Sequence, residues 1–182
     1  MRYVSLDIET TGLDPHRDMI LAFALVVEDT EADPLPPVEE LPHLYVVVKH
    51  KRLEGHPAAL HMNEDLIAAI ASEDPPLGAK LLEDGNAAKA LVQFLSDHFG
   101  EKRAVVAGKN VQAFDLQFFP RPIRDLFHHR AVDVGSVLVD WKADAPLGLA
   151  KLKRKYEIPG GVVHEALADA QDVVRLLRCT YG

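Results

Sequence analysis

The sequence predicts an α/β domain in which helices flank a mixed β-sheet. Three apolar, strand-length segments come first, and helical and strand-like segments then alternate to the end of the chain. Alternation of this kind is typical of layered α/β domains. The 182 residues, 48% hydrophobic and 26% charged, have the length and composition of one globular domain with its own core. We therefore expect residues 1–182 to form a single domain.

Strands are predicted where short apolar segments stand between turn residues. They cover residues 3–9, 19–28, 43–49, 104–108 and 131–134. Helices are predicted where apolar residues recur at helical spacing. They cover residues 57–61, 63–71, 86–99, 114–127, 147–156 and 165–178. Pro120 and Pro122 force a break or kink in the fourth of these helices.

Composition excludes several classes of protein. The formal net charge of -8 argues against a general basic coat for nucleic acid. Residues 100–156 nevertheless carry 11 Lys and Arg against 6 Asp and Glu, so an anionic partner fits best there, although ordinary variation in surface charge explains the pattern equally well. Cys179 is the single cysteine, which excludes an internal disulfide and disfavours a cysteine zinc site. With no membrane-length apolar segment and no signal peptide, we expect a cytoplasmic protein.

The first predicted strand places two carboxylates on one face. Side chains alternate along a strand, so Tyr3, Ser5, Asp7 and Glu9 share a face. Asp7 and Glu9 lie at the carboxyl end of the strand, where open α/β sheets bind ligands. Like charges this close repel each other unless a cation lies between them. Strand-end acids that simply face water are the alternative.

The closing helix carries a third carboxylate beside its apolar stripe of Ala166, Ala170, Val173 and Leu177. Asp169 lies three residues after Ala166 and four before Val173, so it projects near the buried stripe and needs a partner. Arg175, six residues on, is one candidate partner.

His164 comes five residues before Asp169, which corresponds to about 140° of helical rotation. The two side chains would diverge if both lay within the helix, so we place His164 in the loop at the helix entrance. An ordinary surface histidine is the alternative.

A fourth acid, Asp115, opens the apolar helical stretch that follows Phe114. The helix dipole alone explains an acid in a first turn. Asn110, five residues earlier, has the residue type of a turn or a cap.

Three strings together indicate a family. D-I-E-T-T-G begins at Asp7, N-x-x-x-F-D begins at Asn110, and H-E-A-L-A-D-A begins at His164. In this order in one domain they resemble the DEDD exonuclease superfamily, in its histidine variant, which includes proofreading exonucleases and oligoribonucleases. The resemblance runs from Asp7 to about Leu177. It implies a ribonuclease-H-like fold, with a mixed five-stranded sheet flanked by helices, and an enzyme that trims single-stranded DNA or RNA from the 3′ end.

The resemblance also implies roles for individual residues. The metal-binding carboxylates would be Asp7, Glu9, Asp115 and Asp169, and His164 would be the general base. Hard oxygen ligands without thiolates favour two Mg²⁺ or Mn²⁺ ions. Two such ions about 3.5–4 Å apart can hold the attacking and leaving oxygens of an in-line displacement, which would release nucleoside monophosphates.

Further positions are predicted to contact the terminal nucleotide. The turn after the first strand would let the backbone approach the substrate closely, and the other positions would pack on it or bond to it. These positions are Thr10, Thr11, Gly12, Leu13, His61, Met62, Asn63, Lys109, Asn110 and Phe114. For Met62, ordinary packing is the more economical explanation. Lys109 stands where many relatives have histidine, and a contact to a backbone phosphate is one role for it. The basic run 151–155 either contacts phosphates or forms a solvated helix face.

Two other classes of protein remain as alternatives. A phosphatase of the haloacid-dehalogenase type also has an aspartate after its first strand, but Glu9 and the pairing of His164 with Asp169 argue against it. A non-catalytic nucleic-acid-binding module on the same fold would have lost at least one carboxylate. The sequence does not distinguish DNA from RNA as the preferred substrate. It also leaves open whether the protein acts alone, as a homodimer or beside a polymerase.

Overall fold

A computed structural model describes residues 1–160 and 164–182. The strands of these residues form one sheet, and their order across it is β4-β3-β2-β1-β5-β6. The strands are β1 (Arg2–Thr10), β2 (Ile20–Asp29), β3 (His43–Lys49), β4 (Lys80–Glu83), β5 (Val106–Gly108) and β6 (Val132–Asp133). Within the described residues, β2 pairs antiparallel with β1 and β3, whereas the other pairings are parallel.

The mixed sheet agrees with the sequence prediction, but the predicted number of five strands is wrong. The described residues form six, because β4, the segment KLLE at Lys80–Glu83, pairs with β3 at the edge of the sheet. Its four residues are exposed or half-buried and lead directly into a helix. A half-exposed edge strand of this length lacks the apolar alternation that marks a strand in sequence.

The first strand holds the centre of the sheet, and its two faces pack on different layers. Val4, Leu6 and Ile8 are buried in one apolar cluster together with Leu91. Ser5 is buried on the other face, where its hydroxyl donates a hydrogen bond of 2.8 Å to the backbone oxygen of Ala170. Asp7 and Glu9 share this second face, so the alternation predicted from sequence directs both carboxylates toward the closing helix.

Helices cover both faces of the sheet. They are α1 (Pro57–Met62), α2 (Glu64–Ser72), α3 (Asp84–Phe99), α4 (Arg121–Arg124), α5 (Val134–Val137), α6 (Leu149–Lys155) and α7 (Ala166–Tyr181), and 3-10 turns lie at Val38–Glu40 and Asp115–Phe118. The four residues of the predicted apolar stripe of α7 are all buried.

Within the described part of the chain, no helix is long and apolar enough to cross a membrane. A cytoplasmic location stays a prediction.

The single helix predicted over residues 114–127 is wrong. The segment forms the 3-10 turn Asp115–Phe118 and the short helix α4, with an extended Phe119 between them. Pro120 disfavours helical geometry at the residue before it, which explains why the backbone straightens at Phe119. The break at the prolines is confirmed, but the residues before it form a 3-10 turn and not an α-helix.

A buried ion pair joins α6 to α7. Lys153 and Asp172 are 4% and 3% exposed, and their charged groups are in direct contact. Arg175 donates to the other oxygen of Asp172 at 2.7 Å and also contacts Glu39 at 2.6 Å. The basic run 151–155 is therefore not a uniform face, because Lys153 points into the protein and Lys155 pairs with Asp140 at 2.9 Å.

We predict that Lys153→Met lowers the free energy of unfolding by about 3–5 kcal/mol, because it removes one partner of a buried pair. The double variant Lys153→Met/Asp172→Leu should recover most of that loss, since it removes both buried charges and leaves the partly exposed Arg175 paired with Glu39. Urea denaturation at neutral pH measures both changes. Equal stability of the single and double variants would contradict the assignment.

Candidate active site

Three carboxylates meet where β1 ends. Asp7 and Glu9 come from β1, and Asp169 comes from the first turn of α7. One oxygen from each of the three lies within 4.8 Å of the others. Glu9 and Asp169 are 8% and 7% exposed, and Asp7 is half-buried. The hydrogen bond from Ser5 to Ala170 fixes α7 against β1 and so sets this spacing.

Asp115 adds a fourth negative charge that acts on Asp7 and Glu9. It begins the 3-10 turn after β5 and is 4% exposed. The preceding loop turns sharply because Asn110 has a φ of 59°, and the Asn110 oxygen accepts from the Phe114 amide at 3.0 Å. The carboxylate of Asp133 accepts the Asn110 amide and anchors that loop to β6.

Burial and mutual repulsion disturb the acidity of the cluster. Burial raises the pKa of Asp7 well above its ordinary value, and the charges of Asp115, Asp169 and Glu9 add to the rise. The same causes raise the pKa of Glu9 to about 7, and burial raises that of Asp115 to about 7. Such shifts show that ionising all of these carboxylates costs free energy when no cation is bound.

The donor set fits a hard divalent cation. Oδ1 of Asp169 is buried and has no hydrogen-bond partner among the described residues. Arg175, the candidate partner for Asp169, instead binds Asp172 and Glu39. A buried oxygen without a partner, beside two other carboxylates, matches the all-oxygen coordination of Mg²⁺ or Mn²⁺.

His164 stands at the rim of the cluster. It is exposed, has a φ of 46°, and precedes the start of α7, as the loop placement predicted. Together with Asp169 it lines a cavity of about 680 Å³, and its proximity lowers the pKa of Asp169 against the larger effect of burial. Gly161, part of the predicted loop before it, lies outside the described residues.

A second, larger cavity of about 900 Å³ opens on the side of Glu9. Six of the residues predicted to contact the terminal nucleotide line it: Thr10, Gly12, Leu13, Met62, Asn63 and Phe114. Leu13 and Met62 are 82% and 58% exposed, so neither side chain packs in the core. Met62 is therefore not part of the core, and its contact with a nucleotide stays a prediction. Asn63 donates to the Thr10 oxygen at 3.3 Å and ties α2 to the end of β1.

Four predicted positions lie outside the lining of this cavity. Thr11 is fully buried, and its hydroxyl accepts the Met19 amide at 2.9 Å. His61 points to solvent beside Glu64. Lys109 lies 4.0 Å from Asp133, and Asn110 shapes the loop before Asp115. Their contacts are structural, and any contact of theirs with substrate stays a prediction.

Sequence reasoning missed the outer wall of the larger cavity, which includes Asp14, Arg17, Asp18, Glu54 and His56. Glycines let these segments approach each other. A Cβ on Gly12 would lie 2.2 Å from the Asp18 carboxylate, and a Cβ on Gly55 would lie 2.3 Å from the Thr11 oxygen. Gly12 therefore makes room for a protein carboxylate as well as facing the cavity. The paired turns at 12–18 and 54–58 are far apart in sequence, and no local pattern indicates that they meet.

The fold and the acidic site define a ribonuclease-H-like nuclease class. The family profile RNase_T, described as exonuclease, matches residues 4–177, and the chain belongs to this family. The predicted enzyme class, a 3′–5′ exonuclease that hydrolyses phosphodiester bonds, is thereby confirmed. Membership of this family argues against the phosphatase alternative, and the presence of Asp7, Glu9, Asp115 and Asp169 argues against a non-catalytic module.

Individual relatives agree with the family. An oligoribonuclease of Bordetella pertussis is 29% identical, with 97% of this chain and 92% of the relative covered. An oligoribonuclease of Paracidovorax citrulli is 24% identical, with 97% and 86% covered.

Two solved structures share the fold. Exonuclease I of Methylocaldum szegediense superposes with a TM-score of 0.67 at 22% identity over 97% of this chain. The zinc-bound complex of E. coli ExoI with single-stranded DNA superposes with a TM-score of 0.68 at 16% identity over the same 97%. The chain spans only 40% and 39% of the length of these two proteins.

The raised carboxylate pKa values predict that the metal-free protein loses stability as pH rises from about 4 to about 7. The folded state keeps protons on Glu9 and Asp115 up to a pKa of about 7, whereas the unfolded chain releases them near pH 4. Mg²⁺ or Mn²⁺ should therefore raise the melting temperature more at pH 8 than at pH 5, because protons compete with the ion.

Thermal unfolding in EDTA and in metal tests this expectation, with Asp7→Asn as the control. The variant carries one carboxylate fewer, so its metal-free form should depend less on pH and respond less to metal. The same pH slope and the same metal response in both proteins would contradict the electrostatic assignment.

Proposed function

We propose that the protein removes nucleoside monophosphates from the 3′ end of single-stranded nucleic acid, with short RNA as the preferred substrate. The observation that carries the proposal is the position of the carboxylate cluster beside an apolar-walled cavity that can take a terminal nucleoside. The relatives named oligoribonuclease support RNA. Residues 1–182 would act as one exonuclease domain, and association with a second copy or with a polymerase stays a prediction.

Asp7, Glu9, Asp115 and Asp169 would hold two Mg²⁺ or Mn²⁺ ions. When bound, such ions neutralise the carboxylates, orient the phosphate and make a water molecule more acidic. The chain supports this role because Asp169 keeps an oxygen free of hydrogen bonds within the described residues. Glu9 lines the larger cavity and Asp169 the smaller one, so the cluster lies between the two.

The larger cavity would receive the terminal nucleoside. Leu13, Met62 and Phe114 offer apolar surface for a base. Asn63 holds the Thr10 backbone in place, so the end of β1 is rigid where the sugar would lie. Packing between apolar side chains is sequence-tolerant, which suits an enzyme that removes any base.

His164 would act as the general base in the histidine variant of the mechanism. Its imidazole accepts a proton from the attacking water, and it must be neutral to do so. Its exposed position outside α7 leaves the ring accessible to water. The neighbouring Asp169 can orient the imidazolium that forms.

Degradation of 5′-labelled strands tests the polarity. We expect single-stranded RNA with a free 3′-hydroxyl to shorten one nucleotide at a time, faster than the matched DNA, and only with Mg²⁺ or Mn²⁺. A strand with a blocked 3′ end should persist, and Asp7→Asn should be inactive yet folded. Internal cutting of the blocked strand, or full activity in EDTA, would refute the proposal.

Replacing the general base should lower the rate without affecting metal binding. We expect His164→Ala to lose about 10²–10⁴-fold in kcat. The wild-type rate should rise with pH, because the base must be free of its proton to act, and the variant should lose that rise. His98→Ala removes a histidine from α3 and serves as the matched control. A variant of His164 with nearly normal turnover would remove this residue from the site.

A further inference from the structure

The two cavities differ in charge although they flank the same carboxylate cluster. They share no lining residue. Besides Glu9, the acids that line the larger cavity are Asp14, Asp18 and Glu54. Its lining also includes one arginine, Arg17. Besides Asp169 and His164, the smaller cavity is lined by residues 142–151, which include Lys142, Lys151 and one acid, Asp144. We call this smaller cavity the lysine groove.

This asymmetry matches the charge of a strand held by its 3′ end. The terminal nucleoside carries no phosphate beyond the one that is cleaved, so an acidic, apolar cavity can accept it. Every nucleotide on the 5′ side adds one negative charge and favours cations. The lysine groove reaches the cluster at Asp169 and His164, whereas the larger cavity reaches it at Glu9.

The two lysines of the groove can bind phosphates, whereas two other lysines nearby are already paired with carboxylates. Lys153 is committed to Asp172, and Lys155 is committed to Asp140. In residues 1–160 and 164–182, neither Lys142 nor Lys151 forms an ion pair, and both are exposed. Asp140 also accepts the Lys142 amide at 3.0 Å, which fixes the backbone at the start of the groove.

An exposed aromatic residue precedes the groove. Trp141 is 89% exposed and adjoins Lys142 in the chain. Bases of a single strand stack on such side chains regardless of sequence, while lysines contact the phosphates between them. An indole this exposed contributes little to the core, so packing does not explain it.

We propose that the lysine groove binds the nucleotides on the 5′ side of the cleaved bond, with Lys142 and Lys151 on phosphates and Trp141 stacked on a base. This inference rests on the proposed placement of the 3′-terminal nucleoside in the larger cavity. According to this proposal, Lys142, Lys151 and Trp141 determine how strongly the enzyme prefers longer strands. The enzyme binds strands of several nucleotides more tightly than dinucleotides, because a dinucleotide with a 5′-hydroxyl has no phosphate to place in the groove.

Kinetics on two substrate lengths test the proposal. For a single-stranded RNA heptamer, Lys142→Ala/Lys151→Ala should raise KM by about fivefold per lysine and leave kcat within about twofold. For the dinucleotide, both constants should stay within about twofold. For the heptamer, the slope of log(kcat/KM) against the logarithm of the salt concentration should become shallower by about 0.7 per lysine. Trp141→Ala should raise KM for the heptamer alone.

Lys89→Ala/Lys102→Ala is the matched control, because it removes two exposed lysines on and just after α3. Fluorescence anisotropy of a labelled heptamer in metal-free buffer gives a readout that does not require turnover. Equal losses on both substrate lengths, or no loss of heptamer binding, would overturn the proposal. Failure of the proposed function looks different, because the wild-type enzyme would then degrade neither substrate.

Discussion

Repulsion between carboxylates at the end of β1 is the constraint on which the site depends. Asp7, Glu9 and Asp169 offer oxygens within 4.8 Å of one another, and the charge of Asp115 raises the pKa of Asp7 further. Such a cluster would separate if its supports could move. It is held by the central position of β1 in the sheet and by the bond from Ser5 to the backbone of α7.

Within the described residues, Lys153 and Arg175 form no ion pair with this cluster. Lys153 and Arg175 both converge on Asp172, one helical turn after Asp169. Had either bound Asp169 instead, the site would carry an internal ion pair and would have less affinity for a metal ion. The buried ion pair at Asp172 thus supports α7 mechanically, while the Asp169 oxygen stays available.

Local patterns in the sequence predicted those parts of the structure that depend on neighbouring residues. Alternation in β1 put Asp7 and Glu9 on one face, and the stripe of α7 put Asp169 beside the core. Contacts between distant segments were not predictable. The edge strand β4 is defined by its pairing with β3. The structural contacts of Thr11 and Lys109 depend on Met19 and Asp133, which lie elsewhere in the chain.

The close approach of two loops gives a physical reason for attack at a chain end. The Thr11 oxygen accepts the His56 amide at 2.7 Å, and the space for a Cβ on Gly55 is filled by Thr11 itself. Backbones in direct contact leave no passage between these two segments at this point, so a strand placed in the larger cavity would meet them as a wall.

A strand that ends there needs cations only on its 5′ side, which is where Lys142 and Lys151 lie. The contact between Thr11 and Gly55 beside the larger cavity and the charge of the lysine groove therefore favour the same direction of binding. In this arrangement the preference for a chain end comes from the surroundings of the carboxylate cluster and not from the cluster itself.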